Sequence, residues 1–242
     1  MAKLHRRDLK HDEIRDRMGE AVKSVSHHGR EVLYAALAIL AVGAIAYGWY
    51  SYDRKQQQES QNLLGVALEK FHTSVQQQSP DPNTPKPNYQ YKSDEEKYKD
   101  AQKDFKQIIE KYGSTDAADI AGYQAGICAF YLKDYKSAEA LLKQSAAVSE
   151  KNFLYYQARL ALANLYNLTS RPQESVKALK SAVEKNRNFV PQDYLLIQLA
   201  TSYEKAGQTK EAMDTYQKVM DQFKDSPIGY QAQTRLAELK RK

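Results

Sequence analysis

Apolar residues follow two patterns along this chain, and the change between them falls near residue 55. Between Glu31 and Asp53 no side chain is charged, and the run VLYAALAILAVGAIAYGWYSY, Val32 to Tyr52, holds 21 residues. As a helix it reaches about 30 Å, the thickness of a bilayer's hydrocarbon core. A helix on the surface of a soluble protein keeps a polar face, and this run carries none. Tyr47, Trp49, Tyr50 and Tyr52 gather at its end, where amphipathic rings favour the headgroup level. Gly43 and Gly48 weaken a helix in water but are tolerated in lipid. The run predicts a transmembrane helix. The stretch AIA, Ala44 to Ala46, has the form of a signal-peptide cleavage site. However, 31 residues precede the run and apolar residues continue past the cut, so an uncleaved anchor is expected.

Beyond Asp53 apolar residues recur every three and four positions, the period of an amphipathic helix. The proline cluster SPDPNTPKPNYQY, with Pro80, Pro82, Pro85 and Pro87, interrupts this pattern as an extended loop. Ser93 and Glu96 form an S-x-x-E capping box that opens a helix running to about Tyr112. Pro172 and Pro227 mark the first turns of two later helices. A fixed period then emerges. Small residues stand at Ala101, Ala138, Ser175 and Ala212, each 37 positions apart. The same frame aligns Phe105, Leu142, Leu179 and Tyr216, then Ile108, Ser145, Ala182 and Val219, then Ile109, Ala146, Val183 and Met220. Twelve positions before the small residue stand Gly126, Ala163 and Ala200. Each unit therefore reads as two helices with a small residue in each where they cross. Tyr112, Tyr166, Tyr203 and Tyr216 fall on columns that pack helix on helix.

This pattern resembles the tetratricopeptide repeat. Leu199 to Pro227, LATSYEKAGQTKEAMDTYQKVMDQFKDSP, is most similar: Ala200 and Tyr203 mark its first helix, Gly207 ends that helix, and Ala212 and Tyr216 mark the second. No Trp opens the first helix, no Pro closes the second, and the spacing is longer than the family's. The expected fold is all-α, a single transmembrane helix followed by a divergent tetratricopeptide-like solenoid of helix pairs. Its parts are a basic arm over 1–31, the membrane helix over 32–52, a linker helix and proline-rich loop over 53–92, and the repeat domain over 93–242. The helix from Gln56 is expected to pair with the Ser93 helix as an irregular first unit. A last unpaired helix, ending in LKRK, would cap the array.

Charge sets the orientation. Eight Lys or Arg precede the apolar run, from Lys3 to Arg30, and only Arg54 and Lys55 follow directly. Basic residues stay on the cytoplasmic side, so the N-terminus is expected inside and the repeat domain outside, periplasmic or otherwise extracytoplasmic, in a single-pass membrane protein. The net charge of +6 divides into 8 basic and 6 acidic residues up to Glu31 and 28 basic and 24 acidic from Asp53. Neither is a block of one sign, which argues against nucleic acid as a partner. The arm places Ile14, Met18, Val22 and Val25 on one helical face, suited to a membrane surface or a partner.

Catalytic chemistry is thin. His5, His11, His27 and His28 lie on the arm, His72 alone lies beyond it, and Cys128 sits in an apolar helical stretch with no nearby base. No phosphate loop and no metal-spaced Cys/His set is present. No enzyme, cofactor or metal is expected. The repeat frame instead predicts a peptide-binding groove on the first helices: Tyr123, Gln124, Ile127 and Tyr131 in one repeat, Gln157, Asn164 and Asn167 in the next, and Tyr194, Gln198, Thr201 and Lys205 in the third. Neutral amides and tyrosines suit peptides, through flat rings and adaptable hydrogen bonds. The paired lysines with which chaperone-tail-binding repeats clamp a carboxylate are missing. The order of basic arm, anchor and outward repeats resembles the ancillary subunit family of the SecYEG translocon, which implies chaperone-like handling of exported polypeptides beside translocon subunits. A structural scaffold subunit of a cell-envelope complex fits the same architecture.

Overall fold

A computed structural model describes residues 29–75 and 88–241, and the chain divides into two units, residues 1–55 and 56–242. The expected helical face of the arm, its four histidines and the four clustered prolines fall outside the described residues. Helix α1, Gly29–His72, belongs to both units. Within the first unit every described residue is exposed. Twelve large apolar side chains between Val32 and Tyr52 are uncovered, Trp49 at 77%. Among the described residues α1 is the one helix long and apolar enough to cross a membrane.

In the second unit α1 changes character. Ser60, Leu64 and Ala67 are buried at spacings of four and three, one stripe of a helix. Leu64 and Ala67 pack with Ala101, Phe105, Ile108 and Tyr112 of α2, Asp94–Tyr112. Polar contacts fix the register: Lys70 bridges Asp100 and Asp104 at 3.1 and 2.6 Å, and the Tyr112 hydroxyl donates to Glu59 at 3.0 Å. Ser93 caps α2 by accepting from the Glu96 amide at 3.2 Å, and the Glu96 carboxylate reaches back to the Lys92 amide at 3.0 Å. This satisfies donors that a helix start leaves without partners.

Three helix pairs and a last helix follow: α3 (Asp116–Tyr131) with α4 (Tyr135–Ser145), α5 (Phe153–Leu168) with α6 (Pro172–Lys185), and α7 (Gln192–Lys205) with α8 (Thr209–Phe223), then α9 (Pro227–Lys240). Each helix packs on the next, and the first helices α3, α5, α7 and α9 also touch in succession. The small-residue column is fully buried: Ala101, Ala138, Ser175 and Ala212 are all at 0% exposure. Phe105, Leu142, Leu179 and Tyr216 are buried beside them. Gly126 shows why the column is small, since a β-carbon there would lie 2.9 Å from Leu142 Cγ. Each buried Leu of this kind contributes about 1.5–3 kcal/mol by leaving water. Cys128 is fully buried in the α1–α3 core, and burial pushes its thiol up to about 12, which leaves it unreactive.

The turn between the helices of a pair repeats as well. Lys133, Ser170 and Gly207, again 37 apart, have φ of 62°, 58° and 73°. After each, an amide closes back onto the preceding helix: Asp134 to the Ala129 carbonyl, Arg171 to Tyr166 and Gln208 to Tyr203, at 2.9, 2.7 and 2.9 Å. This is a left-handed helix stop that satisfies otherwise open carbonyls.

Candidate peptide-binding groove

The first helices α3, α5 and α7 stand side by side, and their shared face holds a hollow of about 320 Å³. From α3 come Tyr123, Ile127, Phe130 and Tyr131; from α5 Gln157, Leu160, Ala161 and Asn164; from α7 Tyr194. The spacing of three and four on α5 puts its members on one face. Among the described residues no charged side chain lines the hollow. Tyr131 is 53% exposed and stacks on Tyr98 of α2, ring centres 4.6 Å apart and planes at 9°. The Lys97 ammonium lies 4.6 Å over the Tyr98 ring, an attraction of cation to ring face that holds the stack in place. Burial raises the Tyr123 phenol's pKa first, and the Tyr131 and Tyr194 phenols add to the effect. The Tyr123 hydroxyl is therefore a neutral donor and acceptor at physiological pH.

Six of the groove residues expected from the repeat frame line this hollow: Tyr123, Ile127, Tyr131, Gln157, Asn164 and Tyr194. The other five do not. Gln124 is half-buried on α3, beside the lining stripe. Asn167 donates to the Ser202 hydroxyl at 3.1 Å between α5 and α7, and its own carbonyl oxygen is buried without a partner. Thr201 donates to the Ile197 carbonyl at 2.9 Å and lies 3.4 Å from the Tyr216 hydroxyl of α8. Gln198 is half-buried one turn along α7 from Tyr194, and Lys205 is exposed in that helix's last turn. Phe130, Leu160 and Ala161 line the hollow without being expected to. Leu160 and Ala161 follow from Gln157, because they lie three and four positions on.

The profile of the Tetratricopeptide repeat family matches residues 194–226, which takes in α7 from its third residue, all of α8 and the short turn after it. Two crystal structures of nearly identical TPR-like repeats from Podosopora anserina, a chain assigned as a kinesin light chain, resemble this one; one is a point variant. Each is 17% identical with a TM-score of 0.52; they cover 60% of this chain and 78% and 79% of their own. No curated protein matches by sequence. The repeat unit is a tetratricopeptide-like solenoid. Such helix-pair arrays present a continuous concave surface and work as protein-interaction modules. In this tetratricopeptide-like unit the hollow lies on the face made by the first helices, where three repeats contribute together.

Proposed function

We propose that this chain is a membrane-tethered peptide-binding protein whose outward repeat domain handles exported polypeptides. The observation that carries the reading is the uncharged hollow shared by α3, α5 and α7, in which phenols and amides converge. An extended segment offers backbone donors and acceptors at every residue. Gln157, Asn164 and Tyr194 supply the reciprocal groups without demanding a charge, while Tyr131 and Ile127 supply flat apolar contact. Such a site favours chains of many sequences over one acidic or basic motif.

The tether reading rests on the uncovered apolar run of α1, which water hydrates at a cost that lipid removes. The eight basic residues before that run support a cytoplasmic N-terminus and a periplasmic repeat domain. Proximity to the Sec translocon enters through the resemblance of arrangement alone, basic arm then anchor then outward repeats.

A photocrosslinking residue at Tyr131 or Tyr194 in living cells tests the proposal, compared with one at Lys136, exposed on α4. The expected result is a spread of exported polypeptides, with translocon subunits, trapped from the two groove positions and far less from Lys136. One fixed partner from the groove positions makes the chain a scaffold subunit instead. Equal trapping from all three positions removes the groove as a site. Protease added to spheroplasts should digest the repeat domain, and its protection would overturn the orientation.

A further inference from the structure

The face of α5 opposite the tyrosine groove carries a different chemistry. Tyr155, Arg159, Leu162 and Tyr166 recur at spacings of four, three and four, and at 100° per residue this stripe lies half a turn from Gln157, Leu160, Ala161 and Asn164. Two hollows, of about 460 and 540 Å³, meet over it, and both are lined by Ala146, Ala147 and Arg159. Together they form one trough between the end of α4 with its following loop and helix α6.

Cations dominate this trough. Arg159 lies on its floor, and Lys143, Lys151, Lys177, Lys185 and Arg187 stand around it. Lys143 is paired with Glu139 and Lys185 with Glu150, while Glu174 is held by Arg171. Lys151, Arg159, Lys177 and Arg187 have no carboxylate partner among the described residues. Arg159 is the decisive group. Its guanidinium carbon lies 4.4 Å above the Tyr155 ring, and its Nε is buried with no hydrogen-bond partner. With Nε buried, the terminal amino groups of this stacked guanidinium, which make no hydrogen bond to the described residues, are the donors open to a carboxylate.

We propose that this trough binds an acidic segment of a partner protein, with one carboxylate on Arg159 and others on the flanking lysines and Arg187. The shape favours an extended chain over a compact anion. Lys177 and Lys185 are eight residues apart on α6, about 12 Å, the span of about four residues of extended chain. Between the cations the walls are apolar, from Ala146, Ala147, Leu162 and Ala178, which suits a segment alternating acidic and aliphatic side chains. The site is independent of the tyrosine groove and does not rest on the function proposed for it.

The test uses the full chain in neutral detergent and a fluorescein-labelled octapeptide that alternates Glu and Leu, read by anisotropy at low salt. The Glu peptide should bind, and its Gln counterpart should bind at least tenfold more weakly. Arg159→Gln should weaken the Glu peptide about tenfold, the size of one charge-assisted hydrogen bond. The double variant Lys151→Gln/Arg187→Gln alters only exposed side chains, so it should keep the thermal melt and still weaken binding several-fold. Gln157→Ala/Asn164→Ala should leave this affinity unchanged. Absence of binding, equal binding of the Gln peptide, or full affinity in the Lys151/Arg187 variant overturns the proposal. Displacement of the peptide by phosphatidylglycerol vesicles, but not by phosphatidylcholine, would overturn it too, by assigning the trough to lipid headgroups.

Discussion

The first and third full repeats, α3–α4 and α7–α8, reach the same geometry from different residues. At the turn inside the third stands Gly207, for which a φ of 73° costs nothing special; at the same place in the first stands Lys133 with φ of 62°. A side chain in that left-handed conformation costs about 1–2 kcal/mol. The first repeat nevertheless closes the same backbone hydrogen bond at the same 2.9 Å. Its small column residue, Ala138, is as fully buried as Ala212. The family profile matches only the third repeat, yet helix packing treats the two alike. What defines the repeat physically is a close helix crossing and a left-handed stop; glycine is one way to make that stop.

The comparison is tested hardest at the crossing. Ala138→Leu and Ala212→Leu each force a larger side chain into a filled contact, at an expected cost of about 1–3 kcal/mol. Ala140→Leu, on an exposed position of α4, should stay within about 0.5 kcal/mol. Urea unfolding of the full chain measures all three. If Ala212→Leu is costly and Ala138→Leu is not, the first repeat is looser than the third and the equivalence fails.

The turns should respond with opposite signs. Gly207→Ala places a β-carbon on a left-handed residue and should destabilise by about 1 kcal/mol, whereas Lys133→Gly should stabilise by up to about 1 kcal/mol. Thermal melting distinguishes them. The same sign in both would mean that the Lys133 turn relaxes by another route.

The same contrasts explain how far the fold is legible in the sequence. The packing columns are legible because a close crossing demands small residues at fixed spacing, and Ala101, Ala138, Ser175 and Ala212 supply that signal directly. The turns at Lys133 and Ser170 are not legible, since neither residue type announces a positive φ; only Gly207 does. In the groove, frame and helical period locate Tyr123, Gln157 and Tyr194 on one face. They misjudge depth, so Asn167 and Thr201, expected to face the groove, are bonded to neighbouring side chains. The trough at Arg159 has no sequence signature. Its cations come from α4, α5, α6 and two loops, and no single helix stripe contains them.

A further difference between the repeats is electrostatic. Glu139 of α4 accepts from Arg171 at 2.6 and 3.1 Å, and Lys143 lies 2.6 Å from it. In the third repeat the matching position, 74 residues on, is Met213. Hydrogen bonds from Arg171, then Lys143, hold the Glu139 carboxyl down at about 2, below its ordinary 4.5. A carboxyl depressed on folding stabilises the native state above its unfolded value, and that contribution fades as pH falls from about 4.5 toward 2. Arg171→Gln should therefore flatten the loss of melting temperature over that range. Met213→Leu, at the matching site, should leave the pH profile as it is. An unchanged slope in Arg171→Gln would show that Glu139 is not held by this network in solution.

The smallest effect concerns the groove, where an exposed surface must be told from a packing one. Asn164 and Asn167 lie on the same helix, and replacing either by Ala changes helix propensity equally, so their difference reports only contacts. Asn164 is exposed, lines the hollow and makes no side-chain hydrogen bond to the described residues. Asn167 joins α5 to α7 through Ser202, whose hydroxyl in turn lies 2.8 Å from that of Ser175. Asn164→Ala should thus alter stability by no more than about 0.5 kcal/mol, whereas Asn167→Ala should lose about 1 kcal/mol with its bond. Gln198→Ala on α7 should behave like Asn164→Ala, because its side chain likewise makes no hydrogen bond to the described residues. Denaturant midpoints of the three variants decide the matter. Equal losses at Asn164 and Asn167 would mean that the strip is spent on holding helices together, leaving the hollow without free polar groups for a peptide. A silent Asn164→Ala that also lowers photocrosslinking yield from Tyr194 would tie the groove's surface to binding rather than to the fold.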